Sequence, residues 1–407
     1  MDLERGPWKK DNYWVSHFQF LPEVSEGMNL PAQVEFHDST LRDGEQAAGV
    51  FFSAQDKIEI AKKLDAAGIQ FIEAGFPVVS KADQEAIEKI VGLGLKAKIT
   101  CLSRAKAEDI ELAAAIGVWG AILEVPVSQV RLKYQFGWTE DDAIKKILSA
   151  CVMAKEKGLA TYLFMIDSSR ADLEFIERLL TATVKEGVVD RISVVDTAGC
   201  ITPAGMRYFA GKIRQMVDVP LEVHAHNDFG LGVANSLASI EAGVSSVAAT
   251  LNGLGQRAGN APLEEIAWSL EALYGVPTGL DMAKLYEVAV HVQELSGWSF
   301  PPNKPVVGKN IFTWEAGLPV AALRKNPHTV EPFQPETFNR THQIELGKKC
   351  GKANIEWKME MLGLSAGDEG MVERLMKRVK EESVKFRRGL TDAEFAGLCQ
   401  EEKKSGK

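Results

Sequence analysis

The chain has 407 residues, 45% of them hydrophobic and 25% charged, an ordinary globular balance with length for one large domain and an appended one. A formal charge of -9 argues against nucleic acid and anionic membranes as partners, and no apolar run approaches the roughly 20 residues a bilayer span needs. The five cysteines (Cys101, Cys151, Cys200, Cys350 and Cys399) are odd in number and include no CxxC pair, which argues against a disulfide framework or a zinc ribbon; with a charged N-terminus where a signal peptide needs an apolar core, the expectation is a cytoplasmic protein.

Residues 1–33 carry Trp8, Tyr13, Trp14, Phe18 and Phe20 and read as an N-terminal arm that packs on a surface. From Val34 to about Tyr274, short β-rich runs alternate with amphipathic stretches of helical period. The predicted strands are VEFHD at 34, QFIEAG at 70, AKIT at 97, GAILEV at 120, ATYLFM at 160, RISVVD at 191, LEVHAH at 221 and SSVAATL at 245. Helices are predicted between them, among others over Gln55 to Ala67, Asp83 to Val91, Glu140 to Lys157 and Ala171 to Glu186. Eight βα units predict an α/β fold, a (β/α)8 TIM barrel over 34–275; no GxGxxG follows the first strand, which disfavours a doubly wound sheet. Beyond Gly275 the β signal fades, and helical patterns at Asp281 to Leu295, Ala353 to Leu362 and Asp368 to Phe386 predict a helical C-terminal region over 276–400. Glu401 to Lys407 read as a charged, frayed end.

The most informative local feature is His224-Ala225-His226-Asn227-Asp228 at the end of the seventh strand. Strand residues i and i+2 point to one side about 7 Å apart, so two imidazoles at this spacing can converge on one cation. The competing reading is two histidines satisfied by ordinary hydrogen bonds, but barrel active sites lie at the C-terminal ends of strands, where this pair falls. The second feature follows the first strand: Asp38-Ser39-Thr40-Leu41-Arg42-Asp43-Gly44-Glu45-Gln46. Strands one and seven are separated only by strand eight, so Asp38 or Asp43 could complete a set of two histidines and one carboxylate with open positions, the pattern of a catalytic metal. Arg42 would place a permanent cation where an enolate or alkoxide develops; alone, it would read as a structural ion pair. After the eighth strand, Asn252 to Asn260 holds Gly253 and Gly255, whose backbone could approach an anionic cofactor, and Asn260, an oxygen donor. Asp196-Thr197 and Arg104 face the same mouth and could bind a carboxylate or cap the next helix.

With these segments in order, DSTLRDGEQ at 38, EAGFP at 73, SQVRLKY at 128, DTAGCITP at 196, HAHNDFGLGVAN at 224 and NGLGQRAGNAPLEE at 252, the sequence resembles the 2-isopropylmalate, homocitrate and citramalate synthase family and, more distantly, hydroxymethylglutaryl-CoA lyase. The resemblance covers about residues 34 to 275 and continues more faintly to about 390. It implies a divalent metal (Mg2+, Mn2+ or Zn2+) held by Asp43, His224 and His226, with Asn260 a ligand in the lyase branch. It further implies that Arg42 polarises the substrate carbonyl and that Thr197 contacts the 2-oxo acid carboxylate. Acetyl-CoA is the implied co-substrate, and a homodimer the implied assembly. Substrate selectivity is assigned to mouth residues that include Glu73, Arg104, Glu124, Ser128 and Thr197.

Departures from the family pattern bear on the reaction. The synthases carry a glutamate in a strand-five motif like SEDxxRxD, where this chain reads Met165-Ile166-Asp167-Ser168-Ser169-Arg170-Ala171-Asp172, and Ile166 cannot titrate. In the helical region, a segment like HESGIHxDG is replaced by Trp314 to Ala322, with Pro319 at its second histidine. Gln256 also stands where the loop usually has glutamate, and Gln256 to Asn260 contains no lyase cysteine. The leading expectation is metal-dependent condensation of an acyl-CoA with a 2-oxo acid, with Asp167, Glu73 and Glu315 as replacement bases by position. The alternatives are carbon-carbon cleavage of lyase or aldolase type, and a ligand-binding barrel without turnover. Since the chain ends soon after the helical region, no leucine feedback is expected.

Overall fold

The computed structural model describes residues 2–365, 368 and 370–405. They form two compact units: Phe18–Phe300, and the residues up to His17 together with those from Pro301 onward.

The larger unit is the predicted barrel. Its strands are β1 (Glu35–Asp38), β2 (Phe71–Glu73), β3 (Lys98–Arg104), β4 (Gly120–Pro126), β5 (Ala160–Ile166), β6 (Arg191–Asp196), β7 (Leu221–Ala225) and β8 (Ser246–Ala249). All pair in parallel, and the ring closes through β8, where Ala248 lies opposite both His37 of β1 and His224 of β7. The helices begin where side chains satisfy the free amides of the first turn. Ser53 and Asp56 form a reciprocal capping box at Ala54–Ala67, and Thr139 and Asp142 do the same at Glu140–Glu156. Asp172 caps the next helix, which therefore starts at Leu173, two residues later than the sequence predicts.

Inward-facing side chains fill the barrel in layers. Low in the barrel lies a buried polar network: His37 Nδ1 meets Glu222 Oε2 at 3.0 Å, His37 Nε2 meets Thr100 Oγ1 at 2.8 Å, and Ser193 and Ser246 donate to Glu222. Phe71, Leu102, Ile122, Tyr162, Phe164, Ile166 and Val195 form an apolar cluster inside the ring, and the strand ends rise around it.

Two boundaries differ from the sequence reading, which set a break at 275 and a separate arm over 1–33. The helix Met282–Ser296 belongs to the barrel unit, because its apolar face (Leu285, Val288, Ala289 and Val292) is buried and Asn252 Nδ2 donates to Ala289 O at 2.7 Å. The β signal ends at 275, but the barrel's apolar surface continues to recruit helix. The arm divides: Phe18 and Phe20 go with the barrel, whereas Asn12 to Trp14 hydrogen-bond Pro332 to Gln334 in the smaller unit.

That smaller unit is helical, with Gly317–Leu323, Lys352–Met361, Met371–Phe386 and Asp392–Ser405 around a core that includes Val320, Leu346, Ile355, Leu375 and Phe395. The predicted frayed end is helical through Ser405, and Gly406 and Lys407 lie outside the described residues. Among the described residues, no helix is long and apolar enough to cross a membrane.

Candidate active site

Barrel closure brings Asp43, just past β1, against the end of β7. Asp43 Oδ2 lies 3.2 Å from His224 Nε2 and 3.7 Å from His226 Nε2, and ligand atoms of the three buried residues all fall within 4.8 Å of one another. Both imidazoles thus present Nε2 to one carboxylate oxygen. His226 Nδ1 meets Gly259 O at 3.2 Å, which favours the tautomer that leaves the Nε2 lone pair free. Burial and the neighbouring His224 push His226 down to about 4, with Asp43 opposing, so at neutral pH it is in the neutral ligand form. Burial disfavours ionisation of Asp43, but Arg42 and the two histidines outweigh it and hold this carboxyl well below the usual range.

Asn260 completes the cluster. Its Nδ2 donates to Asp43 Oδ2 at 2.9 Å and to Leu254 O at 3.0 Å, while its Oδ1, like His224 Nδ1, is buried without a partner. A buried amide oxygen without a partner, beside two histidines and a carboxylate, fits a divalent cation: two nitrogens, a charged oxygen and a neutral one. The glycines of this loop serve its tight turn; a Cβ on Gly259 would sit 2.0 Å from Gly253 O, and its φ of +82° is one that glycine adopts without strain.

Arg42 is clamped beside the cluster. Its Nη1 lies 3.3 Å from Asp43 Oδ1, its Nε donates to Glu73 Oε1 at 2.7 Å, and Ser39 Oγ donates to the other Glu73 oxygen. Burial works against the guanidinium charge, but Glu73 and Asp43 more than compensate, so it stays protonated. Phe164 forms the wall below: its ring lies 5.9 Å from the Arg42 guanidinium and 5.5 Å from the His224 ring. The sequence reading missed Phe164 and Ser39; alternation along β5 marks Phe164 as inward-facing, but only barrel closure shows what it faces.

Comparison with known proteins bears on the family. The family model described as HMGL-like matches residues 33–292, and the homocitrate synthase post-HMGL domain-like model matches residues 306–385. The homocitrate synthase of Methanopyrus kandleri is 42% identical over 361 residues, covering 89% of this chain and 90% of that one. The chain belongs to the isopropylmalate, homocitrate and citramalate synthase family. The (R)-citramalate synthase of Methanocaldococcus jannaschii is 41% identical (86% of this chain, 70% of that one), and the 2-isopropylmalate synthase of the same organism is 37% identical (94% and 74%). The solved HMG-CoA lyase of Bacillus subtilis shares the fold, with a TM-score of 0.61 at 21% identity over 68% of this chain and 98% of that chain. A synthase-family member is an enzyme, of the condensing acyltransferase kind.

Within this synthase-family barrel, the other residues singled out from sequence have varied surroundings. Asp167, read as a base, has both carboxylate oxygens engaged by Arg170 at 2.8 and 2.7 Å and one of them also by Ser128 Oγ, so its lone pairs serve the loop rather than a substrate proton. The same contact gives Ser128 a structural partner. Arg104 is the last residue of β3 rather than part of the following loop, and it forks onto Asp109 at 2.8 Å through both Nε and Nη2. This ties the end of β3 to the first turn of the helix Ala107–Ile116. Thr197 Oγ1 accepts the Asp167 amide at 2.8 Å, which leaves its hydroxyl hydrogen to donate. Glu315 lies in the smaller unit, where it accepts the Lys349 amide at 3.2 Å, and Pro319 sits in the first turn of Gly317–Leu323. Gly253 and Gly255 shape the Asn260 loop: a Cβ on Gly253 would sit 2.9 Å from Asn260 O.

Asp38, the other carboxylate considered as a ligand, is turned away from the cluster onto Thr40, whose amide and hydroxyl donate to it at 3.0 and 2.9 Å. Burial raises it to about 7, with the two Thr40 hydrogen bonds opposing. A carboxyl whose folded pKa exceeds its unfolded value leaves stability intact below the unfolded pKa and removes it as pH rises through the folded one. Asp38→Asn, which cannot ionise, escapes that loss: urea midpoints should show the variant gaining on wild type as pH rises across about 4 to 8. Equal slopes in both proteins would show that Asp38 does not titrate in this window.

Proposed function

We propose that the protein condenses an acyl-CoA thioester, with acetyl-CoA the first donor to test, with a 2-oxo acid to give a 2-hydroxy-2-alkyl dicarboxylate, water releasing the CoA thiol. The observation that carries this reading is the Asp43, His224, His226 cluster with Arg42 ion-paired to the same carboxylate. The named activities of the relatives support it. When bound there, a divalent ion (Mg2+, Mn2+ or Zn2+) supplies Lewis-acid polarisation of the keto and carboxylate oxygens.

The chain's own residues do the rest. Arg42, held by Glu73 and Ser39, places a fixed cation where the alkoxide charge develops. Thr197 donates its hydroxyl to the substrate carboxylate. Phe164 closes one wall and keeps water from the reacting carbons. The reading includes a cytoplasmic homodimer, for which light scattering on the purified protein is the check.

The test is release of CoA thiol from acetyl-CoA across pyruvate, 2-oxoisovalerate, oxaloacetate and 2-oxoglutarate, with each metal and with chelator. Metal-dependent release with one acid is the expected result and identifies the substrate. Silence across the panel with metal demonstrably bound would sink acetyl-CoA condensation. The second reading, cleavage of a tertiary hydroxy acid or its thioester, is favoured by Ile166 and Pro319 at the positions where synthases carry their proton-transfer pair; product analysis of candidate hydroxy acids tests it.

A further inference from the structure

Making or consuming the enolate of an acyl thioester needs a base for the C2 proton, and Ile166 cannot be that base. The barrel's carboxylates can be sorted by what already holds them. Glu73 is engaged by Arg42 and Ser39. Asp43 belongs to the metal cluster. Asp167 is forked by Arg170, Asp196 accepts Ser169 Oγ at 2.6 Å and the Cys200 amide, and Asp38 is bound by Thr40. Glu222 lies lower, tied to His37, Ser193 and Ser246.

Glu124 is different. It lies near the C-terminal end of β4, two residues beyond Ile122, which belongs to the inward apolar cluster, so alternation points Glu124 into the barrel as well. In register it stands between Arg104 of β3 and Phe164 of β5. Phe164 is the ring that touches both Arg42 and His224. Glu124 is half-buried, and among the described residues it has neither a hydrogen bond nor an ion pair within contact distance. The charged groups facing it are Arg42 from the β1 loop, Glu73 from β2, Arg104 from β3, Arg131 from the turn after β4 and Asp43. Burial raises its carboxyl above the usual range; Arg42 opposes the rise and Glu73 adds to it.

Resting on the proposed reading of this site, we infer that Glu124 is the catalytic base that exchanges the C2 proton of the acyl thioester. In the condensing direction its carboxylate takes that proton and the C–H electron pair becomes the enolate. The enolate carbon bonds to the keto carbon of the oxo acid, and the carbonyl π pair moves onto oxygen beside Arg42. The proton on Glu124 then passes to that alkoxide, which restores the carboxylate. In the cleaving direction each transfer reverses, so the assignment holds for either outcome. A carboxyl poised above its ordinary range suits this work better than a fully solvated one.

The test is Glu124→Gln in the full chain, loaded with Mn2+. Because Glu124 has no partner to lose, the amide is expected to leave thermal unfolding and Mn2+ affinity, read by paramagnetic resonance, unchanged. Expected are a fall in kcat of about 100- to 10,000-fold with KM for the oxo acid within about threefold, and loss of deuterium wash-in at the acetyl-CoA methyl in heavy water. Glu124→Asp should recover part of both. Retention of kcat within about threefold overturns the assignment, as does a loss traced to weakened Mn2+ or oxo acid binding. Wild-type wash-in without condensation, abolished in Glu124→Gln, would remove the condensing reading and keep the base; a wild-type protein that neither condenses nor exchanges would overturn both.

Discussion

Asp43→Asn is expected to abolish turnover and to strip the site of its metal while leaving the barrel folded. The substitution keeps the shape of the side chain but removes the carboxylate on which both imidazoles converge. Outer-shell partners of a metal typically contribute about 10- to 100-fold in affinity, and loss of the charged ligand itself should exceed that. The fold should tolerate it, because Arg42 keeps its 2.7 Å bond to Glu73 and Asn260 can still donate to the new amide oxygen. Metal content after dialysis and thiol release with excess Mn2+ are the measurements. A variant that retains stoichiometric metal and near wild-type turnover would show that the cluster is a structural hydrogen-bond knot.

Arg42→Gln should be the more damaging change to the protein as a whole. The guanidinium is buried between Glu73 and Asp43, so its removal leaves the Glu73 carboxyl buried with only Ser39 as partner. Breaking a buried pair from one side costs about 3–5 kcal/mol, and loss of a fixed cation at a developing oxyanion costs about 100- to 1,000-fold in kcat. The double variant Arg42→Gln, Glu73→Gln separates the two effects. It should recover part of the stability in urea denaturation, because Glu73 is no longer a buried carboxyl that has lost its cation while Asp43 still is, and none of the activity. Recovery of activity with stability would mean that Arg42 only holds the site together.

Much of this could be read from residue order because it is local. Strand alternation, helix caps and β-run spacing reflect backbone geometry within a few residues, and all eight strands formed where the pattern placed them. The His224, His226 pair was legible for the same reason: a spacing of two on a strand puts both rings on one face. Composition and charge bounded the class of protein but placed no side chain. The departures at Ile166 and Pro319 were also visible in the chain, since an isoleucine and a proline can hold no proton wherever they sit.

What needed the closed barrel was partnership. By spacing alone Asp38 and Asp43 were equivalent as potential ligands, and only the resemblance pointed to Asp43; the turn after β1 gives one to Thr40 and the other to the histidines. Arg104 and Asp167 looked available for a substrate until the helix after β3 supplied Asp109 and the turn after β5 supplied Arg170, and Glu73 became the clamp on Arg42 only when β2 took its place beside β1. Local periodicity determines which residues face inward. Which of those inward charges is already satisfied, and which, like Glu124, is left without a hydrogen-bond partner, depends on register and closure between strands far apart in the chain, because Coulomb and hydrogen-bond energies are set by distances of a few ångströms.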